Sequence, residues 1–164
     1  MSEVLSEIEQ PPSFDSQFQR SSAPLVLGAY TTELGVSDGR GAKLKAFFRK
    51  YNSPLYDAAD HIVTEADRNG FDYRLLAAIA MQESTLCKFI PEDSYNCWGW
   101  GIYGDTVTKF SSYEEAITVI SEGIKEHYID HGLVTASAIM AKYTPPSKGS
   151  WAVGVNTVLK WLEE

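Results

Sequence analysis

The chain has 164 residues, a hydrophobic content of 44% and a net charge of −8. That suffices for one domain with a real core. It argues against nucleic acid as a partner, because phosphate binding needs clustered Lys and Arg, and it disfavours an anionic membrane surface for the same reason. No apolar run approaches the roughly 20 residues of a membrane-spanning helix.

Residues 1–40 differ from the rest. They carry Pro11-Pro12, several Ser and Gln, and Gly35 and Gly39, and they read as a flexible tail or linker. The patch Leu25-Val26-Leu27 can pack onto the domain or form a short strand. The start, Met1-Ser2-Glu3-Val4-Leu5, is acidic and lacks the basic and apolar regions of a secretory signal. Export then uses another route, or an upstream segment precedes this one.

Residues 41–164 follow helical periodicity. Leu44, Phe47 and Phe48 share a face, and that helix ends before Asn52. Pro54 suits the first position of a second helix, with Leu55, Ala59, Ile62 and Ala66 on one side and Asn69-Gly70 as its stop. Asp72 can cap a third helix carrying Leu76, Ile79 and Ala80. Glu83 lies four residues after Ile79 and seven after Leu76, so it falls on the same face, where a carboxylate is unusual.

Residues 88–111 are irregular, with room for one short hairpin. Ser112-Tyr113-Glu114-Glu115 reads as a capping box ahead of a helix with the stripe Ile117, Ile120, Ile124 and Tyr128, which Gly132 ends. Thr135 can cap a short helix through Met140, and Pro145-Pro146 interrupts the chain. Trp151, Val155, Val158 and Leu162 mark a final helix. The fold class expected is mainly α, a helical core with a small irregular or β-hairpin lobe.

The chemistry concentrates at Gln82-Glu83-Ser84-Thr85 and Ser94-Tyr95-Asn96-Cys97-Trp98-Gly99-Trp100-Gly101-Ile102-Tyr103-Gly104. Glycoside cleavage needs a carboxylic acid still protonated near neutral pH. Burial and the negative end of a helix dipole both raise a carboxyl pKa, and Glu83 is placed for both. The bland alternative is a solvated Glu in a fraying last turn. Tyr95, Trp98, Trp100 and Tyr103 can stack on sugar rings or form a small core under the loop; one Trp facing inward and one facing a groove is the expectation. Asn96 and backbone amides can bind an N-acetyl group. Cys87 and Cys97 can form a disulfide between helix and loop, implying an oxidising compartment, or remain two separate buried thiols.

Ala77 to Gly104, the step Phe110-Ser111-Ser112-Tyr113, and Tyr143-Thr144-Pro145 together resemble the lysozyme-like superfamily. The nearest resemblance is to bacterial endo-β-N-acetylglucosaminidases and lytic transglycosylases that cut peptidoglycan, over roughly residues 44–162. The resemblance implies a lysozyme-like α+β fold and cleavage of β-1,4 bonds between amino sugars. It makes Glu83 the catalytic acid and Ser84 a support at the helix end. Ser94, Asn96, Trp98, Gly99, Trp100, Ile102 and Tyr103 would form the substrate groove. Tyr143 would lie beside the acid and the reacting sugar. The stretch Gly99-Trp100-Gly101-Ile102 departs from the Gly-Leu-Met-Gln-like step of transglycosylases and favours the glucosaminidase side.

Glu92, Asp93 and Asp105 are the available second carboxylates, each with the features of a solvated loop charge. His127 and His131 stand one helical turn apart without the glutamate of a zinc-protease motif and read as structural. The expectation is a monomer without metal or organic cofactor, extracellular or cell-surface, acting on peptidoglycan or a related amino-sugar polymer. The rivals are a lytic transglycosylase, a catalytically inactive module that binds cell-wall glycan, and an interaction domain using the aromatic loop.

Overall fold

A computed structural model describes residues 39–164. The expected tail therefore lies outside the described residues up to position 38, and so does the Leu25-Val26-Leu27 patch. Six α-helices form in the described part: α1 (Arg40–Lys50), α2 (Ala59–Asn69), α3 (Leu75–Ser84), α4 (Tyr113–His127), α5 (Ala136–Tyr143) and α6 (Ser150–Trp161). Three 3-10 turns join them, at Pro54–Tyr56, Ile129–His131 and Pro145–Ser147. The protein is mainly helical, as its periodicity indicates.

The centre of the domain is α3. Every residue from Leu75 to Ala80 is buried, which is how a helix surrounded by its own core reads in sequence. Its closest helical neighbour is α6, which turns Trp151, Ala152, Val155 and Val158 inward. Helix α2 packs on both α1 and α4, and it seals the other flank of the core with Ala59, Ile62 and Ala66, all fully buried. Helix α4 contributes Ile117, Ile120 and Ile124 on its expected stripe.

Several boundaries follow local chemistry. Gly70 adopts the left-handed conformation that stops α2, and the Asp72 carboxylate accepts the Arg74 amide ahead of α3. Ser112 Oγ accepts the Glu115 amide at 3.0 Å. The Glu115 carboxylate reaches back to Ser111 rather than to the cap residue itself. Thr135 caps α5 by accepting from Ala138.

One expectation is corrected, and of the two lobe alternatives the irregular one is found. Pro54 opens only a 3-10 turn, with Ser53 Oγ accepting the Leu55 amide, and the α-helix begins at Ala59. Proline's fixed φ suits the first turn of either helix type, so sequence does not distinguish them. The lobe between α3 and α4 contains no strand among the described residues; one antiparallel bridge, Tyr103 to Thr106, is all that remains of the hairpin. Side-chain hydrogen bonds, described next, order this lobe instead.

Candidate active site

Glu83 occupies the last turn of α3, one residue before Ser84. The chain then turns through three consecutive non-glycine residues with positive φ: Thr85 at 52°, Leu86 at 57° and Cys87 at 71°. Each such residue costs about 1–2 kcal/mol, so the turn must be held. The amides of Thr85 and Leu86 bond back to Met81 and Ala80. The Leu86 side chain is fully buried, and its carbonyl accepts from Ser53. Ser84 Oγ shares its one hydrogen between the Cys97 carbonyl at 2.7 Å and the Ala80 carbonyl at 3.0 Å and accepts the Cys87 amide.

A disulfide between Cys87 and Cys97, with Cα atoms 4.7 Å apart, closes the arrangement. A loop of this size contributes roughly 2.7 kcal/mol by constraining the unfolded chain. The strain thus sits directly beside the carboxyl group and is overdetermined by its surroundings.

The loop that follows is folded around Asn96. Its side-chain amide donates to the Trp100 and Thr108 carbonyls at 2.8 and 3.0 Å, and its oxygen accepts the Trp100 amide at 3.0 Å. Asn96 is 2% exposed. It therefore builds the loop and is not available to an N-acetyl group. Ser94 is fully buried and accepts the Asn96 amide. Trp98 is fully buried, and its indole N–H donates to the Leu76 carbonyl at 2.9 Å. Like Ser84, these three expected groove residues are buried and hydrogen-bonded within the protein, and none of them lines the cleft described next. Of the two loop tryptophans, Trp98 faces the core and Trp100 faces a cleft.

That cleft has a volume of about 600 Å³. Its loop side is formed by Gly99, Trp100, Gly101, Ile102 and Tyr103, and its helical side by Tyr128, Lys142, Tyr143 and neighbours. No carboxylate among the described residues lines it. Tyr103 is 78% exposed at its rim. Tyr143 is the hub of the aromatic wall: its ring stacks on Trp151 at 5.3 Å and meets Trp100 and Tyr128 at 6.0 and 6.1 Å. Its hydroxyl donates to the Trp98 carbonyl at 2.5 Å.

Glu83 does not line the cleft directly; it lies behind Gly99, which does. Gly99 has a φ of 62°, and a Cβ added there would stand 3.2 Å from Glu83 Oε2. On the other side, the Trp151 indole N–H donates to Glu83 Oε1 at 2.5 Å. Burial raises the Glu83 carboxyl above its ordinary pKa, and the Trp151 hydrogen bond opposes this. Burial also pushes the Tyr143 phenol well above its usual value, with the Glu83 carboxylate adding to the effect. Tyr143 is therefore neutral at physiological pH.

Two residues of the site escape the sequence reading. Trp151 is visible only as one position of an apolar stripe. Gly123 of α4 is silent in sequence, yet a Cβ there would collide with Cζ2 and Cη2 of Trp100. Gly123→Ala is expected to cost about 1–3 kcal/mol by overpacking and to push the Trp100 ring out of place. Near-UV circular dichroism with a urea titration checks this; an unchanged spectrum and midpoint would show that the indole is not wedged there.

The remaining candidates lie elsewhere. Glu92, Asp93 and Asp105 are exposed in the loop. His127 ends α4 at the cleft and His131 belongs to the next 3-10 turn. Among the described residues no three His, Cys, Asp or Glu side chains are grouped to hold a metal, and no helix is long and apolar enough to cross a membrane.

What is assembled is a half-buried acid at the end of a central helix, next to an open cleft with aromatic walls. The chain matches no protein-family model, and no curated protein matches it significantly.

Proposed function

We propose that this domain is a peptidoglycan glycosidase of lysozyme-like fold that cleaves β-1,4 bonds between amino sugars, with Glu83 as general acid. The observation that carries the reading is the Glu83 carboxyl group, held partly dry against Gly99 at the edge of an aromatic cleft. Its raised pKa favours the protonated acid, which can give its proton to the leaving glycosidic oxygen as the C1–O bond breaks. Trp100 and Tyr103 offer ring faces for pyranose units, and the glycines let a sugar approach the backbone. Tyr143 keeps its proton on the Trp98 carbonyl, so its oxygen lone pairs are what it offers to positive charge developing on the sugar.

Burial and Trp151 perturb Glu83, and no carboxylate among the described residues acts on it. An inverting hydrolase wants a second carboxylate about 6.5–9.5 Å from the acid. Assistance by the substrate's N-acetyl group does without one, and so does release of a 1,6-anhydro sugar. The lack of an acidic partner is the specific ground for keeping the lytic transglycosylase as the second reading. The Cys87–Cys97 disulfide supports an oxidising, extracellular or cell-surface setting, and the reading is of a monomer on an amino-sugar polymer.

Mass spectrometry of purified peptidoglycan after digestion tests both readings. Soluble fragments with free reducing ends are expected from the hydrolase; 1,6-anhydro ends would identify a transglycosylase. Glycan that is bound but left intact would replace the enzyme by an inactive binding module.

A further inference from the structure

We infer that Trp151 is a positioning residue that turns the acid so that Oε1 is occupied and Oε2 carries the proton delivered into the cleft. The inference rests on the reading of Glu83 as general acid and adds which atom acts and what aims it.

An indole N–H is a donor only. At 2.5 Å it selects the better acceptor of the protonated acid, which is the carbonyl oxygen and not the hydroxyl, so Oε1 takes the carbonyl role and the hydrogen is placed on Oε2. That second oxygen is the one facing Gly99, and Gly99 lines the cleft. A side chain at position 99 would press on it, so the glycine leaves this oxygen its exit. The proton is thereby confined to the cleft side of the carboxyl group.

Trp151 is itself hard to move. It is 3% exposed and sits in the first turn of α6, the helix packed most extensively on α3. Its ring lies on Tyr143 with an interplanar angle of 27°. The same indole therefore orients the acid with its N–H and supports the cleft wall with its face. The titratable groups around this unit are Tyr143 from α5, Tyr128 from the end of α4 and Tyr103 from the loop, the last two acting on Tyr143; His127 and Lys142 also line the cleft, with Lys142 Nζ over the Tyr128 ring. Among the described residues, the Trp151 indole is the one hydrogen-bonding group that shifts Glu83, against the effect of burial.

The sign of the effect follows. An N–H donor favours the carboxylate over the neutral acid, so Trp151 holds back the rise in pKa that burial produces. Trp151→Phe keeps a ring against Tyr143 and removes the donor. The expected result is an alkaline limb of the kcat/KM profile that moves to higher pH, because the acid must be protonated to act. A tenfold or greater fall in kcat accompanies it, with KM within about twofold, because aim is lost while sugar binding is kept.

Nuclear magnetic resonance gives a readout independent of glycan cleavage. The Trp151 indole proton should titrate with Glu83 in the wild type and cease to do so in Glu83→Gln. The Glu83 carboxyl carbon should titrate at higher pH in Trp151→Phe than in the wild type. A folded Trp151→Phe protein with an unmoved pH limb and an unmoved Glu83 midpoint would overturn the inference. A wild type that cuts no glycan, with the indole and carboxyl still titrating together, would overturn the enzymatic reading and leave the pairing of the two side chains standing.

Discussion

Glu83→Gln is expected to lose at least about a hundredfold in glycan cleavage, the lower end of what a general acid contributes, and to gain thermal stability at neutral pH. Both effects come from the same atoms. The amide oxygen of Gln still accepts the Trp151 N–H, and its NH₂ group replaces Oε2 beside Gly99, so the cleft keeps its shape. What disappears is the transferable proton.

The stability change has a sign fixed by linkage. Burial raises the pKa of Glu83 in the native state above its unfolded value. Between those two values the native protein binds more protons than the unfolded chain, so stability falls as pH rises through that window and stays lower above it. A neutral amide escapes this penalty. The melting temperature of Glu83→Gln should therefore exceed that of the wild type at neutral pH, and the difference should close below the ordinary carboxyl range. Calorimetry at the two pH values, paired with release of soluble fragments from cell walls, measures both. Undiminished cleavage by the variant would remove Glu83 from the mechanism. Equal melting temperatures at neutral pH would mean that the carboxyl group is better solvated than its position implies.

The helical frame was open to reading in the sequence because burial there is periodic. Ala59, Ile62 and Ala66, and later Ile117, Ile120 and Ile124, recur at intervals that only a helix places on one side, and all are buried; Leu55 keeps the spacing but belongs to the preceding 3-10 turn. Glu83 stood out by the same rule, as a carboxylate in register with Leu76 and Ile79. Periodicity fails between α3 and α4, where the chain has no regular repeat. There Asn96 could serve a ligand or its own backbone, since the same amide suits both, and only tertiary structure shows its polar atoms already committed. Trp98 and Trp100 are two positions apart in a loop, so nothing local assigns one to the core and the other to the cleft. Trp151 was hidden for a different reason. Its bond to Glu83 joins residues 68 positions apart across two helices, and its place on the apolar stripe of α6 already accounted for a tryptophan there.

Trp98→Ala is expected to cost about 3–5 kcal/mol, the usual range for truncating a buried aromatic. Against a typical domain stability of about 5–15 kcal/mol, that is a large share. The side chain is fully enclosed, and the indole N–H tethers the loop to the Leu76 carbonyl in the first turn of α3. Trp98→Phe separates packing from tether. It keeps most of the buried surface and loses one hydrogen bond, worth about 0.5–1.5 kcal/mol.

The consequence for the site is larger than for most core positions, because the backbone at this point touches both halves of the proposed chemistry. The Trp98 carbonyl receives the Tyr143 hydroxyl, and the next residue, Gly99, abuts the Glu83 carboxyl group. When the indole is gone, the loop loses the anchor that sets both distances. Trp98→Ala should therefore lose cleavage at temperatures where its helices are still folded, whereas Trp98→Phe should retain it. Urea unfolding followed by circular dichroism, run beside the cell-wall assay, distinguishes the outcomes. A Trp98→Ala protein that is destabilised yet fully active would mean that the disulfide and the Asn96 network hold Gly99 and Tyr143 in place without the indole.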